Sequence, residues 1–326
     1  MTTPRSAVII CAYTEQRWDD LVAAVTSVGR QTTVPDELIV VIDHNPALLR
    51  RVRERFPAAA TLANGGPRGL SGARNTGIAA ADGAVVAFLD DDAVAATDWL
   101  ARLLAAYADE RVLGVGGAIE PLWAAARPPW FPAEFGWVVG CGYRGQPTTA
   151  AAVRNLIGTN MSFRRAVFAA IGGFRDELGR VGANTAGCEE TEFCIRARQH
   201  WPDGIILHEP LAWIRHRVPP SRATWRYFRT RCYAEGRSKA LVTALVGRQD
   251  GLATERDYTL RTLPRGVLRG LGDLARRRDR AGGLRAAAIV AGLATTTLGY
   301  LAGLRATARV VRTRGGGEQP TMAPLA

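Results

Sequence analysis

Three carboxylates in a row, Asp90, Asp91 and Asp92, follow directly on the apolar run Val85-Val86-Ala87-Phe88-Leu89. Such a run reads as a buried strand, and open α/β sheets bind ligands beyond the carboxyl ends of their strands. Like charges side by side repel unless a cation sits among them. A hard divalent ion with oxygen ligands is the simplest neutraliser, and such ions commonly also hold substrate phosphates. The competing reading is a solvated loop whose acids favour the start of the next helix near Thr97. On this stretch alone both readings stay open.

Other polar residues collect at the ends of apolar runs. Ala7 to Ile10 leads into Cys11-Ala12-Tyr13-Thr14-Glu15, and the run from Glu37 ends at Asp43-His44-Asn45. Between these and the triple aspartate lies Gly69-Leu70-Ser71-Gly72-Ala73-Arg74-Asn75-Thr76-Gly77. There the glycines permit close backbone approach and Arg74 could clamp a diphosphate; tight helix packing explains the glycines equally well. No G-x-x-x-x-G-K-[ST] is present, so a P-loop is absent. Gly114-Val115-Gly116-Gly117 lacks the last glycine of a dinucleotide fingerprint and sits within a strand. Gly69 to Ala73 misses the nucleophile elbow by one position. Serine hydrolysis and nicotinamide chemistry have no foothold.

The elements that must position these residues alternate. Strands are expected over 7–10, 37–43, 85–89 and 112–119, with helices through Leu21, Val25 and Val28, over 48–56, 70–81 and 99–107. This alternation predicts an α/β fold, a doubly wound, mostly parallel sheet flanked by helices. Residues 121–147, rich in Pro, Gly and Trp, show no period, and long irregular segments are usually functional. Further on, 155–160 reads as extended, 165–171, 189–199 and 225–239 as helices, and 205–216 as short strands.

The composition is 47% hydrophobic and 22% charged, that of an ordinary globular chain. Five cysteines without C-x-x-C spacing point to unpaired thiols in a reducing compartment. The first residues run straight into a strand, with no long apolar region of a signal peptide. Net charge is +12, and twelve arginines against Asp273 and Asp279 fall between Arg261 and Arg314. Such a block suggests an anionic surface. Aromatics are not interleaved among these arginines and no DNA-binding motif is visible, so no nucleic acid is expected as partner. Ala286 to Leu304 holds no charged residue; as a helix it would run roughly 28 Å, just enough for a bilayer core. Upstream, Leu263, Val267, Leu268, Leu271 and Leu274 alternate with arginines as in an interfacial amphipathic helix. Membrane association is the expectation, peripheral or through a single C-terminal span; a packed helical hairpin is the alternative. The implied organisation is a first domain over 1–240, a helical membrane-associating region over 241–314 and a disordered tail over 315–326.

Taken in order, these motifs resemble family-2 glycosyltransferases of the GT-A fold over about residues 6 to 240. Cys11 to Glu15 resembles that family's opening C-T-Y-N-[RE] segment, Ala73-Arg74-Asn75-Thr76-Gly77 its A-R-N-x-G element, and Asp90-Asp91-Asp92 its D-x-D. Asn160-Met161-Ser162-Phe163-Arg164 followed by Gly172-Gly173-Phe174, and Cys188-Glu189-Glu190-Thr191-Glu192, resemble N-x-x-[FY]-R…G-G-F and G-E-D-x-[DE]. The resemblance implies donor contacts from Ala12, Tyr13, Glu15, Asp43, Arg74, Asp90 and Asp91. It implies Mn²⁺ or Mg²⁺ on Asp92, completed by His216 of the V-x-H-x-V-like segment, with His208 as the decoy. It places the catalytic base at Glu190, where the family usually has aspartate, with Glu189 as the alternative. Asn160, Trp130 and Arg231 are expected on the acceptor side. The function implied is inverting transfer from a nucleotide-diphosphate sugar to an acceptor hydroxyl, polyprenyl-linked if the basic region meets a membrane, at the cytoplasmic face. A sugar nucleotidyltransferase or a non-catalytic sugar-nucleotide-binding membrane protein is the alternative.

Overall fold

The computed structural model describes residues 3–178, 187–247 and 257–314, with side chains of the last helix up to 306. The expected disordered tail over 315–326 lies outside the described residues. The first half alternates as its apolar runs require: β1 (Ser6–Ala12), α1 (Trp18–Gly29), β2 (Glu37–Ile42), α2 (Pro46–Arg55), β3 (Ala60–Ala63), α3 (Leu70–Ala80) and β4 (Val85–Asp90). Then follow β5 (Ala93–Ala95), α4 (Trp99–Ala105), β6 (Val112–Trp123), β7 (Ala151–Ala152), β8 (Asn160–Arg164), α5 (Arg165–Ile171) and α6 (Glu189–His200). β9 (Ile205–Val218), α7 (Trp225–Val246), α8 (Leu263–Ala275) and α9 (Gly282–Arg314) complete the chain. Caps fix several starts. Asn45 Oδ1 accepts from Leu48 N with Pro46 in the first turn of α2, and Thr224 accepts from Tyr227 N at α7.

The strands form one sheet in the order β3-β2-β1-β4-β8-β6-β9-β5, with β7 on β9. β1 to β4, β6 and β9 run one way, and β8, β5 and β7 run against them. Alternate residues of each strand supply two cores. Val8, Ile10, Val40 and Ile42 pack with α1, α2 and α4, while Ile9, Ile39, Val41 and Phe88 pack with α3, α5 and α6. That is the doubly wound arrangement.

Several elements differ from the sequence expectations; the stretch expected as extended over 155–160 becomes a strand only at β8 (Asn160–Arg164). β3 is a four-residue strand, too short for its pattern to stand out. β6 runs on to Trp123, so the irregular segment begins later, and β9 is one long strand rather than several short ones. Register shifts between β6 and β9 at Val112/Gly114 and Gly117/Ile119 let two long strands stay paired through a twist that would otherwise separate them.

The C-terminal helices do not stand apart. A Cβ on Gly236 of α7 would lie 2.0 Å from the Thr296 carbonyl oxygen, and one on Gly299 of α9 would lie 2.1 Å from that of Tyr233. The two backbones touch because neither position has a side chain. Leu263, Ala286, Ala288 and Ile289 are buried, and Arg269 pairs with Glu134 of the segment after β6.

Candidate active site

β4 ends at Asp90 and β5 begins at Ala93, so the trio makes the turn between them, at the carboxyl end of the parallel strands. The cations that the sequence argument demanded are there. Arg17, just before α1, donates from Nη1 to Asp91 Oδ1 at 2.6 Å and to Asp92 Oδ2 at 3.0 Å. His216 sits on β9 opposite Ala93 and places Nε2 2.9 Å from Asp92 Oδ1. Arg222 lies 3.7 Å from Asp92 Oδ2. Asp90 faces Arg74 at 3.3 Å and accepts from Thr159 Oγ1 at 2.9 Å.

Burial separates the three carboxylates electrostatically. Burial pushes Asp91 up to about 7, opposed by Arg17 and reinforced by Asp92 and Asp90. For Asp92 burial acts the same way, but His216, Arg17 and Arg222 together hold it below the usual carboxylate range. His216 feels burial as a downward pull, which Asp92 outweighs, lifting the imidazole to about 10.

Ligand atoms of Asp90, Asp92 and His216 all lie within 4.8 Å of one another. Two carboxylates and an imidazole suit Mn²⁺ or Mg²⁺ better than a thiophilic ion. Buried Asp91 Oδ2 has no hydrogen-bond partner, an orphan acceptor beside that cluster. The other ring nitrogen of His216 faces Cys141 Sγ at 3.5 Å, which orients the ring. These residues fit a divalent cation.

Across the cleft, α6 begins at Glu189 after Cys188, whose φ of +76° is the left-handed conformation uncommon for a side-chain-bearing residue. That turn sends two successive glutamates to different tasks. Glu189, 3% exposed, takes Arg74 Nη1 at 2.9 Å, and Arg74 also donates from Nη2 to the Gly158 carbonyl at 2.9 Å. Glu190 is half-buried, lines the cavity and has no ion pair among the described residues. Burial, with Glu189 beside it, pushes its carboxyl up to about 8.

Asp43 is held from three sides: Asn64 at 2.7 Å, His44 at 2.8 Å and the Gly69 amide at 3.0 Å. A cavity of about 620 Å³ joins Asp43, Tyr13, Arg17, Arg74, the aspartate trio, Glu189, Glu190 and His216, and runs on to Arg231 and the C-terminal helices. Ala12 is buried beneath it, its carbonyl accepting from the Asp43 amide at 2.8 Å, and Glu15 is exposed on the turn before α1. His208 is buried on β9, away from the acidic cluster.

Two expected acceptor-side residues are not brought to the cavity. Asn160 is fully buried in the sheet, its amide accepting from Trp99 Nε1 and donating to the Ala118 and Ala212 carbonyls. A side chain so saturated has no polar atom left for a ligand. Trp130 packs among Phe131, Trp225 and Phe228 as part of an aromatic cluster. Sequence reasoning missed Arg17, Arg222, Asn64 and Cys141. Only Asn64 carried a signal, the Asn-Gly-Gly turn that follows β3.

A mixed, mostly parallel sheet with an acidic turn, a metal-capable triad and a carboxylate across one cleft defines a nucleotide-sugar transferase of the GT-A type. Residues 7–172 match the model of Glycosyl transferase family 2, and the chain belongs to that family. It is a glycosyltransferase. It is 34% identical over 243 residues, 73% of this chain and 77% of the relative, to the glucosyl-dolichyl phosphate glucuronosyltransferase of Haloferax volcanii. It is 25% identical over 245 residues, 72% and 74% of the two chains, to the succinoglycan biosynthesis protein ExoM of Rhizobium meliloti. The fold matches the mannosyltransferase PcManGT of Pyrobaculum calidifontis, solved with GDP-Man and Mn²⁺, at TM-score 0.55 and 20% identity over 95% of this chain and 81% of that one. It also matches GalNAc-T7, solved with UDP, GalNAc and Mn²⁺, at TM-score 0.51 and 19% identity, over 66% of this chain and 43% of that longer one.

Proposed function

We propose that the protein transfers a sugar, with inversion, from a nucleoside-diphosphate sugar to a hydroxyl of a lipid-phosphate-linked acceptor at the cytoplasmic face of a membrane. One observation carries this reading. The metal-capable triad and the proton-holding Glu190 line a single cavity, so a leaving diphosphate and an attacking hydroxyl can share it.

Asp90, Asp92 and His216 would hold Mn²⁺ or Mg²⁺, which when bound supplies positive charge to the departing diphosphate. The chain's own residues do the rest. Asp43, locked by Asn64 and the Gly69 amide, offers a fixed acceptor to the nucleoside end of the donor. Arg74 fixes Asp90 and Glu189 in place rather than roaming toward ligand. Glu190 takes the proton from the acceptor hydroxyl as its oxygen bonds to the anomeric carbon and the diphosphate departs. One displacement inverts the centre, giving a β-linked product from an α-linked donor. The relative whose name specifies a dolichyl phosphate acceptor supports the lipid-linked reading.

The segment Gly282–Ala306, with a mean hydropathy of 1.6, is long and apolar enough to cross a membrane. Its packing favours lying against the surface instead. One face meets α7 backbone to backbone, and Thr296 and Tyr300 line the cavity. Exposed Leu268, Leu271 and Leu274 of α8, with Leu284, Val290, Leu298 and Leu301 of α9, supply the apolar face, and neighbouring arginines meet anionic headgroups.

The test is a panel of nucleotide sugars with Mn²⁺, scored for release of free nucleoside diphosphate on adding a polyprenyl-phosphate-linked sugar. Acceptor-dependent release is expected. Donor binding with no release under any acceptor would leave a non-catalytic binder.

A further inference from the structure

The cavity continues past Glu190 along one stripe of α7: Tyr227, Arg231, Glu235 and Lys239 all line it, each one turn beyond the last. Arg231 is 6% exposed. Its Nη1 stands 2.9 Å from Glu235 Oε2, yet neither Nη1 nor Nε has an aligned hydrogen-bond partner. Nη1 at least keeps the Glu235 carboxylate beside it; the buried Nε–H has no acceptor, and leaving it so is costly.

This spot lies within reach of Glu190. A Cβ on Gly187 would be 3.3 Å from Arg231 Nη2, and Cys188 Sγ contacts Glu235 Oε1 at 3.4 Å, so the two residues just ahead of Glu189 and Glu190 rest on the stripe. Its far wall is Leu263 of α8 and Leu293, Thr296, Thr297 and Tyr300 of α9. Leu298 and Leu301, immediately beside those lining residues, are exposed. A single helix therefore connects the inside of the cavity to the apolar outer surface.

We infer that Arg231 binds the phosphate of a long-chain alcohol phosphate, its alkyl chain leaving along α9 and its sugar pointing to Glu190. Tethered acceptors would then be selected by the charge between sugar and chain. The inference rests on the transferase reading above and names the residue that holds the acceptor's phosphate at that same site. Arginine suits the task because its fork meets two phosphate oxygens at once.

The experiment is direct binding, followed by tryptophan fluorescence in detergent micelles, with Trp137 6.0 Å from the Arg231 guanidinium carbon as the local reporter. Wild-type protein should bind phytanyl phosphate at least about tenfold more tightly than phytanol, a difference that Arg231→Gln removes and Arg231→Lys keeps only in part. A melting-temperature gain with Mn²⁺ and nucleoside diphosphate checks that each variant is folded. Equal binding of phosphate and alcohol by wild type overturns the proposal and needs no variant. So does an Arg231→Gln protein that retains the preference. Displacement of phytanyl phosphate by low-millimolar inorganic phosphate would assign the site to free phosphate and overturn the lipid. Absence of Mn²⁺ and nucleotide stabilisation in wild type would instead strike the donor reading, leaving the phosphate comparison intact.

Discussion

Arg74 on α3 and Glu189 on α6 meet at 2.9 Å with both side chains almost wholly buried. The pair ties the first half of the sheet to the helix that carries the proposed base. It also gives two adjacent glutamates different surroundings: both line the cavity, but Glu189 is paired with Arg74, and Glu190, with no ion pair among the described residues, is the proposed base.

The two glutamines should therefore behave differently. Glu190→Gln is expected to lower kcat on the order of 10² or more, while Mn²⁺ and nucleoside diphosphate still raise the melting temperature. Glu189→Gln keeps an oxygen for Arg74 but removes the counter-charge of a buried guanidinium, and should cost roughly 3 kcal/mol of stability in denaturant titration. A Glu190→Gln enzyme with wild-type turnover would move the base elsewhere.

The pH profile follows from the same carboxyl. With Glu190 near 8, the basic form is scarce at pH 6 and kcat/KM should rise tenfold per unit until it levels above about pH 8. The stability sign is opposite. The folded value is raised above the ordinary 4.5, so the group's contribution is full below about 4.5 and declines as pH climbs to about 8. Glu190→Gln should flatten both curves over that window, read by initial rates and by melting temperature.

Much of this site was legible in the chain because each piece sits at the end of an apolar run. Val85 to Leu89 announces a strand, and Asp90 to Asp92 can then fall nowhere but its carboxyl end. His216 was legible only through the family resemblance, and β9 brings it to Asp92 by pairing with β5, a register that no local pattern encodes. Arg17 was invisible for the same reason: an arginine before a helix looks like surface charge until the fold sets it 74 residues away against Asp91. Asn160 erred the other way. Its motif stood out, yet Trp99 of α4 and the backbone of β6 and β9 consume its amide. Pattern marks a residue as special without saying whether it serves a ligand or the backbone.

Arg17 bridges Asp91 and Asp92 where positive charge is needed whether or not an ion is bound. Arg17→Ala should lower the melting temperature in EDTA, since buried Asp91 loses its nearest cation and Asp92 loses one of three. Mn²⁺ should then restore more stability to the variant than it adds to wild type. Asp92→Asn should remove the Mn²⁺ gain altogether. An Arg17→Ala protein with an unchanged melting temperature in EDTA would show that the bridge contributes nothing.

The C-terminal helices offer the sharpest contrast with a reading of separable parts. Leu263 and Ile289 belong to the same core as Phe228 and Phe135, and α9 walls the cavity. Removing residues 257–326 should strip cover from Phe228 and open the acceptor limb, so the truncated protein is expected to lose cooperative unfolding rather than merely leave the membrane. Gly299→Leu is the gentler version. Its side chain must displace the Tyr233 carbonyl, so α9 should lift from α7, measured as faster proteolysis of that helix and a melting temperature lowered by several degrees, of the order that ~2 kcal/mol of overpacking produces. A truncated protein that melts like the full chain and still turns over donor would prove the helices an accessory.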